Sequence, residues 1–321
     1  MRFNRLDLNL LVALDAMLTE CSITRAAERL HLSQSAMSNA LARLRDHFGD
    51  ELLVQVGRRM ELTPRAEALK EPVRDVLVRI DATISAQPLF DPSRSEREFR
   101  MFVSDYTMTA LVPHLLALVH RQSGTVRFQL LPQVEEPYRS LERGEVDLLV
   151  IPKGYCSPDH PTETLFEEEF RCVVWKASPL AEGELTFDRY AAAGHVVMQP
   201  PGTSQPSFEA WFTQRYGLSR RVEVTTYSFA AVPYLVVGTD RIATVHARLA
   251  RQAEKLLPLK VLPPPIPMPR MEQAMQWHKY RTQDPGLLWL RALMKEAAVV
   301  MDAEADMATR ERAEAASPRR A

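Results

Sequence analysis

Cysteine is scarce. Three residues (Cys21, Cys156 and Cys172) in 321 positions are too few and too scattered for a disulfide framework or a cysteine metal site, and their odd number agrees with a reducing compartment. Glycine is scarce too, at 11 residues, and no glycine-rich phosphate loop or dinucleotide fingerprint is present. The chain has no Gly-x-Ser-x-Gly elbow and no His-Glu-x-x-His pair, and His114 and His120 lie too far round a helix to share one face. These absences argue against an enzyme, and the expected cofactor and metal content is none. No stretch reaches the eighteen or so apolar residues that a membrane span needs. The start carries Arg2, Asn4, Arg5, Asp7 and Asn9 where a signal peptide has an apolar core, so a soluble, cytoplasmic protein is expected, with no membrane partner. Excess charge of one sign is also missing: the formal net charge is −1, which excludes a protein that coats nucleic acid by bulk positive potential. Lysine supplies only 7 of the 40 basic residues, leaving 33 to arginine, whose planar fork suits phosphate and guanine.

What is present is a head of helical periodicity. Leu10, Leu11, Leu14, Met17 and Leu18, then Ile23, Ala26, Ala27 and Leu30, then Met37, Ala40, Leu41, Leu44 and Phe48 fall at helical spacing, predicting three amphipathic helices before residue 49. Ser33 is placed to cap the third helix and Gly49 to end it. Two short strands, Leu52–Val56 and Met60–Leu62, flank the basic turn Gly57-Arg58-Arg59 and read as a wing. The tight turn between the second and third helices has helix-turn-helix spacing, in which the third helix enters the major groove of double-stranded DNA. On its polar side stand Gln34, Ser35, Ser38, Asn39 and Arg43, which suit base edges and phosphates as well as a solvated face. A fourth helix starts at Thr63-Pro64. Its seam of Ala66, Leu69, Val73, Val76 and Ile80 fits either a dimer contact or packing on its own domain, and Pro72 should kink it or break its bonding.

Beyond residue 95 strands and helices alternate. Strands are expected at 99–103, 126–131, 146–151, 171–175, 195–198, 221–225, 242–245 and 275–278, and helices at 107–120, 137–143, 207–216, 229–237 and 285–300. Such alternation predicts parallel α/β sheets with ligands at the strands' carboxyl ends. A chain that leaves one lobe, builds a second and crosses back makes two lobes facing a cleft. The fold class is therefore α/β with an all-α winged helix-turn-helix head and an effector domain of two Rossmann-like lobes, like a type 2 periplasmic binding protein. Expected boundaries are 1–62 for the head, 63–90 for the linker helix and hinge, and 91–301 for the effector domain. Lobe I covers about 91–165 and 266–301, lobe II about 166–265, and a charged, Ala-rich tail at 302–321 reads as disordered.

Several segments then carry a resemblance: Asp7-Leu8-Asn9-Leu10-Leu11, Thr24 to Leu30, Leu32 to Ser38 and Leu62-Thr63-Pro64. They resemble the amino-terminal region of LysR-type transcriptional regulators. The late run Gln276 to Tyr280, with Asp284-Pro285-Gly286 and Trp289-Leu290-Arg291, is similar to the NodD, NahR and LinR branch. The resemblance implies a winged helix-turn-helix, a dimerising linker helix with Leu69, Val73, Val76 and Ile80 in the seam, and a dimer of dimers. It also implies promoter DNA, RNA polymerase and a small aromatic inducer as partners. Carried over by position, Ser33, Gln34, Ser38 and Arg43 match recognition-helix contacts, and Arg58 and Arg59 match the wing in the minor groove. Ser35 stands where the family usually has proline, and Gln55 replaces a frequent arginine, which puts one phosphate contact in doubt.

The inducer is expected between the lobes. Ser104, Asp105, Tyr106 and Thr107 follow the first effector strand; Thr203 and Ser204 precede a helix of the opposite lobe; Leu111, Phe229 and Tyr234 could wall the ligand. The resemblance adds Glu168, although Glu167-Glu168-Glu169 also reads as a solvated acidic edge strand. Asp105 and Glu168 suit phenolic protons better than a carboxylate. The expectation is an activator of an aromatic-compound catabolic operon (phenol, hydroquinone or similar). The alternatives are a flavonoid-responsive nodulation-gene regulator and a small-molecule binding protein without a transcriptional role.

Overall fold

The computed structural model describes residues 6–57, 59–84, 89–134, 136–199, 212, 214–217 and 219–316, and the chain divides into two units, Met1–Ala86 and Gln87–Ala321.

In the first unit α1 (Leu8–Glu20), α2 (Ile23–Arg29) and α3 (Gln34–Phe48) are each started by a side chain that accepts a free backbone amide: Asp7 from Leu10, Ser22 from Arg25 and Ser33 from Ala36. Gly49 ends α3 at φ 61°, a left-handed cap that costs glycine nothing. Strands β1 (Leu53–Val56) and β2 (Arg59–Leu62) pair antiparallel as the wing. Helix α4 (Pro64–Ile84) starts on Thr63, whose hydroxyl accepts from Ala66 N at 3.1 Å. It continues across Pro72. That ring removes one amide on an exposed face, where water can meet the freed carbonyl of Ala68. Leu14, Met17, Leu18, Ala26, Met37, Leu44, Leu52 and Ala66 form the core of this unit.

The second unit holds two five-stranded sheets. Strands β3 (Glu98–Val103), β4 (Arg127–Leu131), β5 (Leu148–Pro152), β6 (Thr162–Glu168) and β12 (Met271–Gln276) make lobe I, in the order β4-β3-β5-β12-β6. Strands β7 (Phe170–Trp175), β8 (Gly194–Met198), β9 (Arg221–Thr226), β10 (Arg241–His246) and β11 (Leu259–Leu262) make lobe II, in the order β11-β7-β10-β8-β9. The sheets are mixed rather than parallel: β12 runs antiparallel to β5 and β6, and β7 antiparallel to β10 and β11. The cause is the crossing between lobes. Strand β6 leaves lobe I through Glu169 and β12 returns to it from lobe II, so the two run in opposite directions where they pair, as do β7 and β11 on the other side.

Four further expectations change. The helix at 107–120 is two, α5 (Asp105–Ala110) and α6 (Val112–Gln122), because Pro113 has no amide and its ring crowds the preceding turn. The expected helix at 229–237 is a short 3₁₀ segment, Val232–Val236, containing Pro233. Strands β6 and β11 and helices α8 (Phe187–Ala192) and α9 (Ala247–Leu256) have no counterpart among the expected elements. The closing helix α10 runs Pro285–Ala316, so residues 302–316 are helix and not a frayed tail; that stretch is rich in Ala, Glu, Arg and Met, all strong helix formers, with no proline before Pro318. Helix α7 (Pro137–Glu142) matches its predicted range closely, while most of 207–216 lies outside the described residues. Phe99, Met101, Leu148, Val150, Val173, Ala243, Val245 and Leu290 belong to one core that runs through both lobes. Among the described residues no helix is long and apolar enough to cross a membrane.

Candidate functional site

The polar face of α3 forms as its spacing predicts. Met37, Leu41 and Leu44 are buried, whereas Ser33, Gln34, Ser35, Ser38, Asn39 and Arg43 are exposed. Ser33 Oγ caps the helix and lies 3.0 Å from Ser35 Oγ, so the serine that replaces the family's proline joins a hydroxyl pair at the helix start. Arg43 donates to Asp7 Oδ2 at 3.1 Å. Sequence position sets Asp7 apart from this face, but folding α1 against α3 brings it there. The Leu10 amide and then Arg43 hold its carboxyl below the usual carboxylate range. Arg45, which sequence reasoning missed, fastens α3 to the wing by donating to Glu51 O and Leu53 O, each at 2.8 Å. Gln55 turns back on the wing and donates to Gly57 O at 3.2 Å, so it does not replace the arginine as a phosphate ligand in this conformation. Arg59 is exposed; Arg58 lies outside the described residues.

The seam of α4 divides. Leu69 and Val73 pack on the core of the first unit, while Val76 is 43% exposed. Ile80 lines a groove of about 340 Å³ with Leu8, Val12, Leu77, Asp81 and Ile84.

In the effector unit Ser104 caps α5 and its hydroxyl lies 3.0 Å from Thr107 Oγ1. Thr107 is fully buried and accepts from Gln273 Nε2 at 3.3 Å; Gln273 Oε1 is buried with no hydrogen-bond partner among the described residues. Antiparallel pairing sets Gln273 opposite Pro152, at the carboxyl end of β5, where this architecture places ligands.

The two carboxylates assigned to an inducer are otherwise occupied. Asp105 Oδ2 accepts from Ser228 Oγ at 2.6 Å and Ala230 N at 3.0 Å, both in lobe II, and Oδ1 accepts from Tyr106 N at 2.9 Å. Glu168 is 1% exposed, so it is no solvated edge residue. It accepts from the Tyr106 hydroxyl, from Arg248 at 2.7 Å and from Glu169 N at 3.0 Å. Arg248 also pairs with Asp302. Burial works against the Arg248 charge, yet Glu168 beside it raises its pKa, while burial and then Glu168 raise that of Tyr106.

His246, another residue missed from sequence, stacks on Tyr106 with ring centres 3.9 Å apart and meets Phe229 edge-on at 4.8 Å. Burial pushes its pKa down to about 3, so it is neutral at physiological pH. Only its place at the end of a strand hinted at a role. Leu111 is fully buried and Phe229 half-buried, whereas Tyr234 is 57% exposed: on the tight 3₁₀ turn Val232, Pro233 and Val236 take the inward positions. Thr203 and Ser204 lie outside the described residues.

Two family models match the chain. "Bacterial regulatory helix-turn-helix protein, lysR family" covers residues 8–67 and "LysR substrate binding domain" covers 92–299. Nodulation protein D of Bradyrhizobium sp. (strain ANU 289) is 43% identical over 95% of this chain and 90% of its own length. Nodulation protein D 1 of Rhizobium meliloti (strain 1021) is 40% identical over 95% and 99%. A crystal structure of a probable transcriptional regulator from Pseudomonas aeruginosa matches with TM-score 0.63 and 28% identity, covering 92% of this chain and 98% of that one. A full-length OxyR variant from the same organism shares the fold, with TM-score 0.67 at 18% identity over 91% and 94%. Relatives named for nodulation overturn the expectation of an aromatic-catabolic activator. The head, the two lobes and these matches agree: the chain belongs to the LysR family of transcriptional regulators.

Proposed function

We propose that this regulator controls nodulation genes, binding their promoters as a dimer of dimers and activating transcription with RNA polymerase when a neutral, flavonoid-type polyphenol enters between the lobes. The observation that carries the reading is the similarity, at 40–43% identity along more than nine-tenths of the chain, to proteins named Nodulation protein D. The chemistry of the interlobe region supports a neutral ligand. Arg248, the guanidinium that joins the Tyr106 and His246 stack, is already paired with Glu168 and Asp302. Ser104, Thr107 and Gln273 offer hydroxyls and an amide, which suit a phenolic hydroxyl better than a carboxylate. Ser33, Gln34, Ser35, Ser38 and Asn39 are the residues proposed to meet DNA on α3, with Arg43, Arg58 and Arg59 beside them. Val76 and Ile80, with Leu8, Val12 and Ile84 of the same apolar surface, are proposed to meet a second copy.

The test is a footprint of the full-length protein on a nodulation-gene promoter, with and without a dihydroxyflavone, beside calorimetry with that flavone and with benzoate. Protection of a defined site, a changed pattern with flavone and no benzoate binding are expected. Binding without preference over random DNA would sink the regulator reading, and tight binding of benzoate alone would sink the polyphenol.

A further inference from the structure

Asp105 and Ser228 are 123 residues apart in sequence and belong to different lobes, yet Ser228 Oγ donates to Asp105 Oδ2 at 2.6 Å. The same oxygen accepts from Ala230 N at 3.0 Å. The loop that supplies both donors is itself organised: Ser228 N donates to Thr226 Oγ1 at 3.3 Å and Ser228 Oγ accepts from Ala231 N at 3.1 Å. On the other side Ser104 caps α5 and Tyr106 N donates to Asp105 Oδ1, so the carboxylate is held from its own lobe as well. The neighbours of the pair stack across the same seam, Tyr106 on His246 and His246 against Phe229. A carboxylate with each oxygen engaged by a donor is a poor partner for a ligand and a strong, directional clasp.

We propose that Asp105 is a positioning residue, the latch that holds lobe II closed on lobe I, and that it sets inducer affinity through closure and not by touching the inducer. The proposal rests on the reading of an inducer between the lobes, but one arm of its test needs no ligand. In the full chain without additives, amide hydrogen exchange at Ala230 reports the latch directly. Wild type is expected to protect that amide, and Asp105→Ala to speed its exchange by about tenfold or more, the worth of a charge-assisted hydrogen bond. Asp105→Asn keeps one accepting oxygen and retains part of the protection, which covers the case in which the alanine variant folds poorly.

In the second arm, calorimetry with a dihydroxyflavone compares wild type, Asp105→Ala, Ser228→Ala and the double variant. Both single variants are expected to weaken half-saturation at unchanged stoichiometry, with a melting temperature lower by no more than about a few degrees. The double variant should be no worse than Asp105→Ala, because the two side chains act as one unit. Unchanged exchange at Ala230 in Asp105→Ala overturns the latch. So does loss of flavone binding in Asp105→Ala with Ser228→Ala indistinguishable from wild type, because that pattern marks a direct ligand contact. If wild type binds no flavone, the inducer reading fails while the exchange arm still decides the latch.

Discussion

At the scale of the residue, Arg43 illustrates how a neighbour remote in sequence redefines a side chain. The arginine stands on the exposed face of α3, but Asp7 at the start of α1 holds it at 3.1 Å with both groups more than half exposed. An exposed pair of this kind adds little to stability, so its importance lies in what it does to the DNA-facing charge. Asp7→Asn keeps an acceptable helix cap, releases Arg43 and removes one negative charge beside the phosphates. The operator affinity of Asp7→Asn is expected to rise several-fold at low salt. The slope of log affinity against log salt should steepen by about 1, the signature of one more phosphate contact. Equal slopes for wild type and variant in a salt titration would show that Asp7 does not keep Arg43 from the backbone. The α3 face was legible because caps and a 3.6-residue period are local properties. The partnership with Asp7 was not, because it depends on how two helices cross.

At the scale of the element, α4 presents two apolar faces on one helix. Its Leu69, Val73, Val76 and Ile80 repeat looks uniform in sequence, yet the structure gives Val73 to the core, 6% exposed, and leaves Val76 at 43%. Period alone cannot separate these, since a helix packed on its own domain and a helix seeking a partner use the same spacing. Substitutions can. Val73→Ala removes two buried methyl groups and should destabilise the first unit by about 2 kcal/mol in urea unfolding, with assembly altered only through that loss. Val76→Asp should leave the unfolding midpoint of isolated protomers near wild type and convert the dimer to monomer in sedimentation. Retention of the dimer by Val76→Asp would move the proposed interface off this surface. The effector elements follow the same rule of legibility. Strands β5 and β8 announce themselves as apolar runs, whereas β6, with charged residues along its length, does not, and β12 was legible only at its apolar end.

At the scale of the whole molecule, a near-zero net charge hides how unevenly the titrating groups are buried. Among the buried histidines of the effector unit are His246, in the interlobe stack, and His195, on β8. Each has a pKa pushed down to about 3, first by burial and, for His195, then by the Arg220 charge 3.2 Å away. Both are neutral in the folded chain, whereas in the unfolded chain each returns to an ordinary value near 6.5. The unfolded state therefore binds more protons as pH falls below about 6.5, and stability drops with acid at up to about 1.4 kcal/mol per pH unit for each histidine. Their joint contribution is whole above that value, down by about 4 kcal/mol at pH 5, and exhausted near pH 3. Salt-bridged carboxylates such as Asp284, which Arg97 holds below its ordinary value against the effect of burial, lose their contribution only below about pH 4. The interval from pH 6.5 to 5 thus belongs to the histidines. Urea unfolding of the full chain across that interval should show a loss that His246→Phe roughly halves, since phenylalanine keeps the ring against Tyr106 but takes no proton. A slope unchanged in His246→Phe would mean that His246 protonates without unfolding. The interlobe stack would then be open to water, and the closed seam with its Asp105 latch would not describe the protein in solution.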